Sequence, residues 1–311
     1  MSLKQPLIVI AGPTAVGKTE TGIKLAKKFN GEIISGDSMQ VYRKMDIGTA
    51  KATKDEQNLV PHHLIDILSP EENFSAADFK EKAEKAINKI SSKNKLPIIV
   101  GGTGLYIQSL LYNYSFSESK ENMVYRKELE EILERNGKNY LYALLQEKDP
   151  ESAEKIHFNN SRRIIRSLEI IHQTGAPVKA MEEQKLESKY DVLIIGLTMN
   201  RELLYQRINE RVDLMLENGL LEEVENLIKD GAENYSSMKA IGYKELIPYI
   251  KGRISLEEAA DNLKQNSRRF AKRQLTWFRN KMPVQWFDVT ENREGKIKDI
   301  ERYIAESLQK R

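Results

Sequence analysis

Over roughly its first hundred residues the chain alternates short apolar runs, each stopped by glycine or a polar turn, with stretches of helical periodicity. Leu7-Ile8-Val9-Ile10 reads as a buried strand running into the glycine-rich segment that begins at Gly12. Glu20 to Phe29 follows with Ile23, Leu25, Ala26 and Phe29 at helical spacing. Glu32-Ile33-Ile34-Ser35 is a second strand, His63 to Ile67 a third, and Lys95 to Val100 a fourth that ends at Gly101-Gly102-Thr103-Gly104. Between the last two, Ser75 opens a helix that runs to about Ile90, with Asp78 three residues on as an acidic capping box. Strands that read as continuous apolar runs and alternate with helices predict a parallel sheet covered on both faces.

The pattern changes at about Tyr114. From there to Tyr190 the chain shows helical periodicity and charge without a strand signal, and Asp191 to Leu197 restores it. A helix over Arg201 to Leu216 and a mostly helical C-terminal part follow. The expected fold is therefore α/β: a P-loop NTPase-like parallel sheet core over 1–113 and 191–311, interrupted by a helical insertion domain over 114–190.

Composition narrows the class. The chain has 311 residues, 40% of them hydrophobic and 31% charged, as in an ordinary soluble globular protein. No apolar run reaches the roughly 20 residues of a membrane helix, and the N-terminus lacks the apolar stretch of a signal peptide. With no cysteine there are no disulfides or thiolate metal sites, which fits a reducing cytoplasm. His62, His63, His157 and His172 have no zinc spacing, and the first two read as packing or hydrogen-bonding groups before a strand. The net charge is only +3, so a nucleic-acid surface needs local clustering. Nothing demands more than a monomer.

Gly12-Pro13-Thr14-Ala15-Val16-Gly17-Lys18-Thr19 matches the phosphate-cradling loop G-x-x-x-x-G-K-[ST] between a predicted strand and a predicted helix. Glycines at both ends let backbone N–H groups turn onto phosphate oxygens, Lys18 neutralises charge, and the Thr19 hydroxyl ligates Mg²⁺. Nucleotide hydrolysis also needs a carboxylate at the end of a second apolar strand. None follows Val100. The nearest strand-end carboxylate is Asp37, where open α/β sheets place their ligands; it can be a metal ligand, a general base or a turn former. A loop that holds diphosphate as a leaving group remains consistent.

Two basic clusters stand out. Arg162, Arg163 and Arg166 fall on one side of a helix, with Ile164, Ile165, Leu168 and Ile171 on the other. Ser267 to Lys281 carries many Arg and Lys, no acid, and Phe270, Trp277 and Phe278 between them. Each alone is a solvated helix face; together they favour a surface for a large polyanion such as a nucleic acid.

Taken together, the segments Gly12 to Thr19, Gly36-Asp37-Ser38-Met39-Gln40-Val41-Tyr42, Met45 to Lys51, Pro61 to Asp66, Gly101 to Tyr106, Lys239-Ala240-Ile241-Gly242-Tyr243-Lys244-Glu245 and Lys272 to Arg279 resemble the bacterial tRNA dimethylallyltransferases. They run in family order over nearly the whole chain; the Asp-Ser-x-Gln-Val-Tyr and Lys-Arg-Gln-x-Thr-Trp segments are far more specific than the P-loop. Val16 stands where many relatives carry serine. The resemblance implies transfer of a dimethylallyl group from dimethylallyl diphosphate to N6 of the adenosine 3′ of the anticodon, with Mg²⁺. It implies Asp37 as general base, Thr103 as the group orienting the amine, and Gly12 to Thr19 with Arg211 on the diphosphate. For tRNA it implies Asp37, Ser38, Met39, Gln40, Thr103, Arg126, Arg162, Arg163, Ile164, Ile165, Arg166, Lys239, Gly242, Tyr243, Lys244, Arg273, Gln274 and Trp277. Three rivals are a small-molecule kinase, an RNA-binding nucleotide switch, and an enzyme prenylating free adenine nucleotides. The basic helical insertion argues against the first and third.

Overall fold

The computed structural model describes residues 4–112, 122–175 and 187–309. The borders expected for the insertion, at 114 and in the approach to 190, fall in or beside stretches outside the described residues. Two compact units result, 1–113 with 187–311 and 114–186.

In the larger unit, β1 (Gln5–Ala11), β2 (Gly31–Ser35), β3 (His62–His63), β4 (Leu96–Val100), β5 (Tyr190–Thr198) and β6 (Gln285–Asp288) form one sheet in the order β3-β2-β4-β1-β5-β6. Every pairing is parallel. The apolar runs explain this: β1 from Leu7 and β4 from Pro97 are almost wholly buried because helices cover both faces. The register pairs Ile10 with Val100 and Val100 with Ser35, so β1, β4 and β2 end level. Three loops, those of Gly12, Gly101 and Asp37, therefore leave the sheet side by side at its carboxyl edge.

The third strand differs from expectation. It stops at His63, because Leu64 and Asp66 take positive φ (61° and 56°) and turn the chain away. The polar loop before it contains α2 (Lys54–Leu59), capped reciprocally by Thr53 and Glu56. The helix α3 (Ala76–Ser91) has the expected capping box of Ser75 and Asp78. The edge strand β6 has no apolar run to announce it; its burial is only partial. The C-terminal helices α8 (Arg201–Glu217), α9 (Leu220–Lys229), α10 (Ile247–Ile250), α11 (Leu256–Lys281) and α12 (Arg293–Gln309) complete this unit, with α1 (Lys18–Lys28) and α4 (Gly104–Leu111) after the two glycine-rich loops.

In the smaller unit, α5 (Met123–Lys148), α6 (Pro150–Lys155) and α7 (Ser161–Thr174) enclose a core of Leu129, Leu141, Leu145, Ile164, Ile165 and Leu168. Ile164 and Ile165 are 0% and 6% exposed, so their side chains belong to the apolar face of α7 that holds this unit together. Arg162 and Arg163 are exposed. Arg126 and Arg166 both reach the buried Glu169 carboxylate, at 2.7 and 3.5 Å.

One buried carboxylate at the sheet edge has a measurable consequence. Glu32 is 1% exposed and meets His63 Nε2 at 2.7 Å, Lys95 at 2.9 Å and Lys93 at 3.2 Å. Burial alone would raise its pKa, but the hydrogen bonds from Lys95, His63 and Lys93 outweigh that and bring it to about 2. Its contribution is then complete above the usual 4.5 and is lost as the pH falls toward about 2. Glu32→Ala is expected to cost about 3 kcal/mol at neutral pH. In urea titrations the gap to wild type should close over that acid window; a gap independent of pH would contradict the ion-pair origin.

Candidate active site

The P-loop leaves β1 at Ala11 and turns through Gly12 (φ 146°), Ala15 (φ 64°) and Gly17 (φ 95°) before α1 starts at Lys18. These positive φ values are what let the backbone curl into a cradle. Its residues do different jobs. Val16 is fully buried in the sheet core, so its isopropyl group packs there and does not line the cavity. Pro13 has no N–H to offer a phosphate; its carbonyl accepts from Lys18 Nζ at 2.7 Å. The Thr14 N–H is already used, donating to Gln274 Oε1 at 2.8 Å.

The cradle opens into a cavity of about 510 Å³ walled by Lys18, Thr19, Asp37, Arg207, Arg211 and Arg293 among others. Burial, then the charge of Arg211, lowers the Lys18 pKa to about 7, with Asp37 opposing only in part. Burial likewise raises that of Asp37, although the N–H groups of Met39 and Gln40 and the charges of Lys18 and Arg211 pull it down. Met39 N–H donates to Asp37 Oδ1 at 2.8 Å, an Asx turn that fixes the carboxylate. Thr103, the residue before α4, accepts from Ser38 N–H at 3.1 Å and donates to Ser38 Oγ at 3.4 Å. The loops after β2 and β4 are thereby joined, and the structure brings Lys18, Thr19, Asp37 and Arg211 onto one cavity, with Thr103 bonded to Ser38 next to Asp37 and outside the cavity lining.

Other expected contact residues serve the fold. Tyr243 is fully buried, its phenol donating to Glu223 at 2.6 Å, so its ring is part of the core. Gln274, 5% exposed, also donates to Gly102 O at 3.0 Å and so bridges the P-loop and the Thr103 loop. Trp277 packs beside Gly104, where a Cβ would lie 2.2 Å from its ring. Tyr106 is core, stacked on Phe79 with its hydroxyl donating to Phe74 O. The opposite face of α11, with Arg269, Lys272, Arg273 and Arg279, is exposed, while Arg268 is spent on Asn209. His62 reaches the cavity wall and its Nδ1 donates to Val60 O at 2.7 Å; burial lowers its pKa, which favours the neutral ring.

Two cavity arginines had no place in the sequence reading. Arg207 precedes Arg211 by one helical turn on α8, a spacing that marks a shared face. Arg293, at the start of α12, donates to Gly17 O at 2.9 Å and pairs with Glu20 at 2.8 Å; no local pattern announces a contact over 276 residues. The donor set for a metal is sparse: among the described residues no three His, Asp or Glu gather. Magnesium needs no more, since it takes one or two protein oxygens with phosphate oxygens and waters, and the Thr19 hydroxyl at the cradle fits.

Replacing Gln274 tests whether α11 shapes the cradle. Gln274→Met removes both amide bonds at similar volume and is expected to weaken binding of inorganic diphosphate about tenfold, one net hydrogen bond's worth. Unchanged affinity by calorimetry would mean that the loop keeps its shape without the helix.

The comparisons with known proteins agree with this geometry. A family model described as IPP transferase matches residues 40–281. A tRNA dimethylallyltransferase of Bacillus cereus is 56% identical over 309 residues, 99% of this chain and 97% of that protein. The full-length tRNA isopentenylpyrophosphate transferase of Bacillus halodurans superposes with a TM-score of 0.76 at 50% identity, covering 99% of this chain and 98% of the other. A eukaryotic dimethylallyltransferase acting on tRNA superposes at 0.81 with 34% identity, over 97% of this chain and 78% of that one. On this match over most of its length, the chain belongs to the IPP transferase family.

Proposed function

We propose that this protein transfers a dimethylallyl group from dimethylallyl diphosphate to N6 of the adenosine immediately 3′ of the anticodon in tRNA. The observation that carries the reading is the pairing of an open diphosphate cradle with a partly buried carboxylate, Asp37, which lines the same cavity and accepts from the Met39 N–H. The names of the relatives at 56% identity and above support the same reaction class.

The N6 lone pair attacks C1 of the prenyl group as the C1–O bond breaks, and diphosphate leaves with the bonding electrons. Lys18, Arg211 and the cradle N–H groups stabilise the charge that develops on it. Arg207 and Arg293 add cationic charge to the same cavity. Bound through Thr19, Mg²⁺ would supply further charge neutralisation on the diphosphate. The amine's proton passes to Asp37, whose carboxylate has acceptor sites beyond those used by Met39 and Gln40. Thr103 Oγ orients the amine. An adenine inside a stack cannot reach this carboxylate, so the base is extruded from the anticodon loop into the cavity, with Ser38, Met39 and Gln40 beside it. The exposed arginines of α7 and the exposed basic face of α11 hold RNA phosphates, with Lys239 and Lys244 as further cations.

Incubation with labelled dimethylallyl diphosphate, Mg²⁺ and unmodified tRNA, followed by nucleoside digestion, tests it. The product expected is N6-dimethylallyladenosine from one position per tRNA, with no ATP requirement. Phosphoryl transfer from ATP without prenylation would replace this reading with a kinase.

A further inference from the structure

The segment over 46–52 supplies part of the cavity wall through Thr49, Ala50, Lys51 and Ala52; Asp66 holds its Lys51 side chain at 2.6 Å, and the Glu223 carboxylate grips its backbone from outside. Glu223, in the first turn of α9, accepts from three consecutive backbone N–H groups. Its Oε2 meets Asp46 N at 2.9 Å and Ile47 N at 2.8 Å, and its Oε1 meets Gly48 N at 3.1 Å. Oε1 also accepts from the Tyr243 phenol at 2.6 Å. Successive N–H groups converging on an anion make a nest, the device a P-loop uses for phosphate. The P-loop cradle opens to the cavity, whereas this nest is filled by the Glu223 side chain.

The fit around the second nest is close. A Cβ at Gly48 would lie 2.6 Å from the Tyr243 ring, so only glycine admits the phenol to the carboxylate. Burial and the Glu223 charge push the phenol's pKa far up, which keeps it a donor at any working pH. At its other end the segment is tied to the catalytic turn. Gln40 Nε2 donates to Thr49 O at 3.3 Å and Ala50 O at 3.2 Å, while its Oε1 accepts from Ser35 Oγ at 2.8 Å. Gln40 lies three residues after Asp37, in the turn whose Met39 N–H sets that carboxylate. A continuous chain of bonds thus runs from α9 through 46–50 to the Asp37 turn.

We propose that Glu223 is a positioning residue for the transfer reaction: its carboxylate fixes the 46–50 wall and, through Gln40, the turn that aims Asp37. The inference rests on the prenyl-transfer reading above. None of these bonds touches Gly12 to Thr19, so the effect should fall on the chemical step and not on the diphosphate.

Single-turnover transfer with saturating tRNA separates the two. Glu223→Gln is expected to slow the step about tenfold, as a misaimed catalytic group does, with the KM for dimethylallyl diphosphate within about twofold of wild type. Tyr243→Phe, which removes one of the four bonds, should slow it about threefold. Glu223→Ala empties the nest, and formate should restore part of the lost rate where chloride at equal ionic strength does not. Hydrogen exchange supplies a readout free of activity: the amides of Asp46, Ile47 and Gly48, protected in wild type, should exchange at least about tenfold faster in Glu223→Ala. A purely structural role would lower Tm yet leave the single-turnover rate of the folded variants unchanged and formate without effect; that result would overturn the inference. Unchanged exchange at 46–48 would overturn the clasp whatever the reaction is. A wild type that does not prenylate tRNA would instead overturn the functional reading.

Discussion

Asp37→Asn is expected to lower the rate of prenyl transfer by about 10³-fold, within the range lost when a general base is removed, while tRNA affinity stays close to that of wild type. The amide is nearly isosteric and can still accept from Met39 N–H, which holds Asp37 Oδ1 at 2.8 Å, so the turn keeps its shape. What the amide cannot do is take the proton from N6 as the new C–N bond forms. Filter binding with unmodified tRNA reports the first quantity and nucleoside analysis the second. A variant with near-normal kcat would remove Asp37 from the proton's path. A variant that lost tRNA binding would place its role in recognition.

The second large effect belongs to Lys18. Its Nζ lies in the cradle and donates to Pro13 O at 2.7 Å. Lys18→Met is expected to lower kcat/KM for dimethylallyl diphosphate by about 10²- to 10³-fold, the usual loss on removing one preorganised charge from a leaving group. The protonation of this lysine gives the prediction a second edge. Its pKa of about 7 comes from burial and the neighbouring Arg211 charge, so at pH 8 most of it is neutral in the empty site. A bound diphosphate favours the charged form and raises that pKa. Wild type should therefore take up close to one proton on binding at pH 8, seen as a calorimetric enthalpy that varies with the ionisation enthalpy of the buffer. Lys18→Met should bind without that uptake. Equal uptake in both would assign the proton to another group.

The parts of the molecule that could be read from the chain are those governed by local rules. The sheet strands β1, β4 and β5 are largely continuous apolar runs, and β2 is apolar at Ile33-Ile34, because both sheet faces are covered; the P-loop is a contiguous motif bounded by a strand and a helix. Asp37 is visible in the sequence as a strand-end carboxylate with three alternative roles; that it shares a cavity with Lys18 and Arg211 is not legible there. Ile164, Ile165 and Tyr243 lie in segments that resemble RNA-binding motifs, yet their side chains are core; neighbourhood in sequence does not say which face a residue takes. Gln274 and Arg293 act on the P-loop across 260 and 276 residues, and Glu223 acts on the 46–48 backbone across 175 or more. Such contacts follow from tertiary packing alone, and no periodicity or spacing encodes them. The short strands β3 and β6 were missed in extent or entirely because each is too brief to carry a pattern.

The centre of this account is that Asp37 receives the amine's proton while the P-loop holds the leaving diphosphate. The most direct measurement is the pH dependence of single-turnover transfer in tRNA-saturated wild type and Asp37→Asn. Because burial raises the Asp37 pKa, the wild-type rate should climb with pH through one ionisation above the usual carboxylate value of 3.8 and then level off. The Asp37→Asn rate should be low and flat over the same range. An Asp37→Asn profile that kept the wild-type slope would contradict the account.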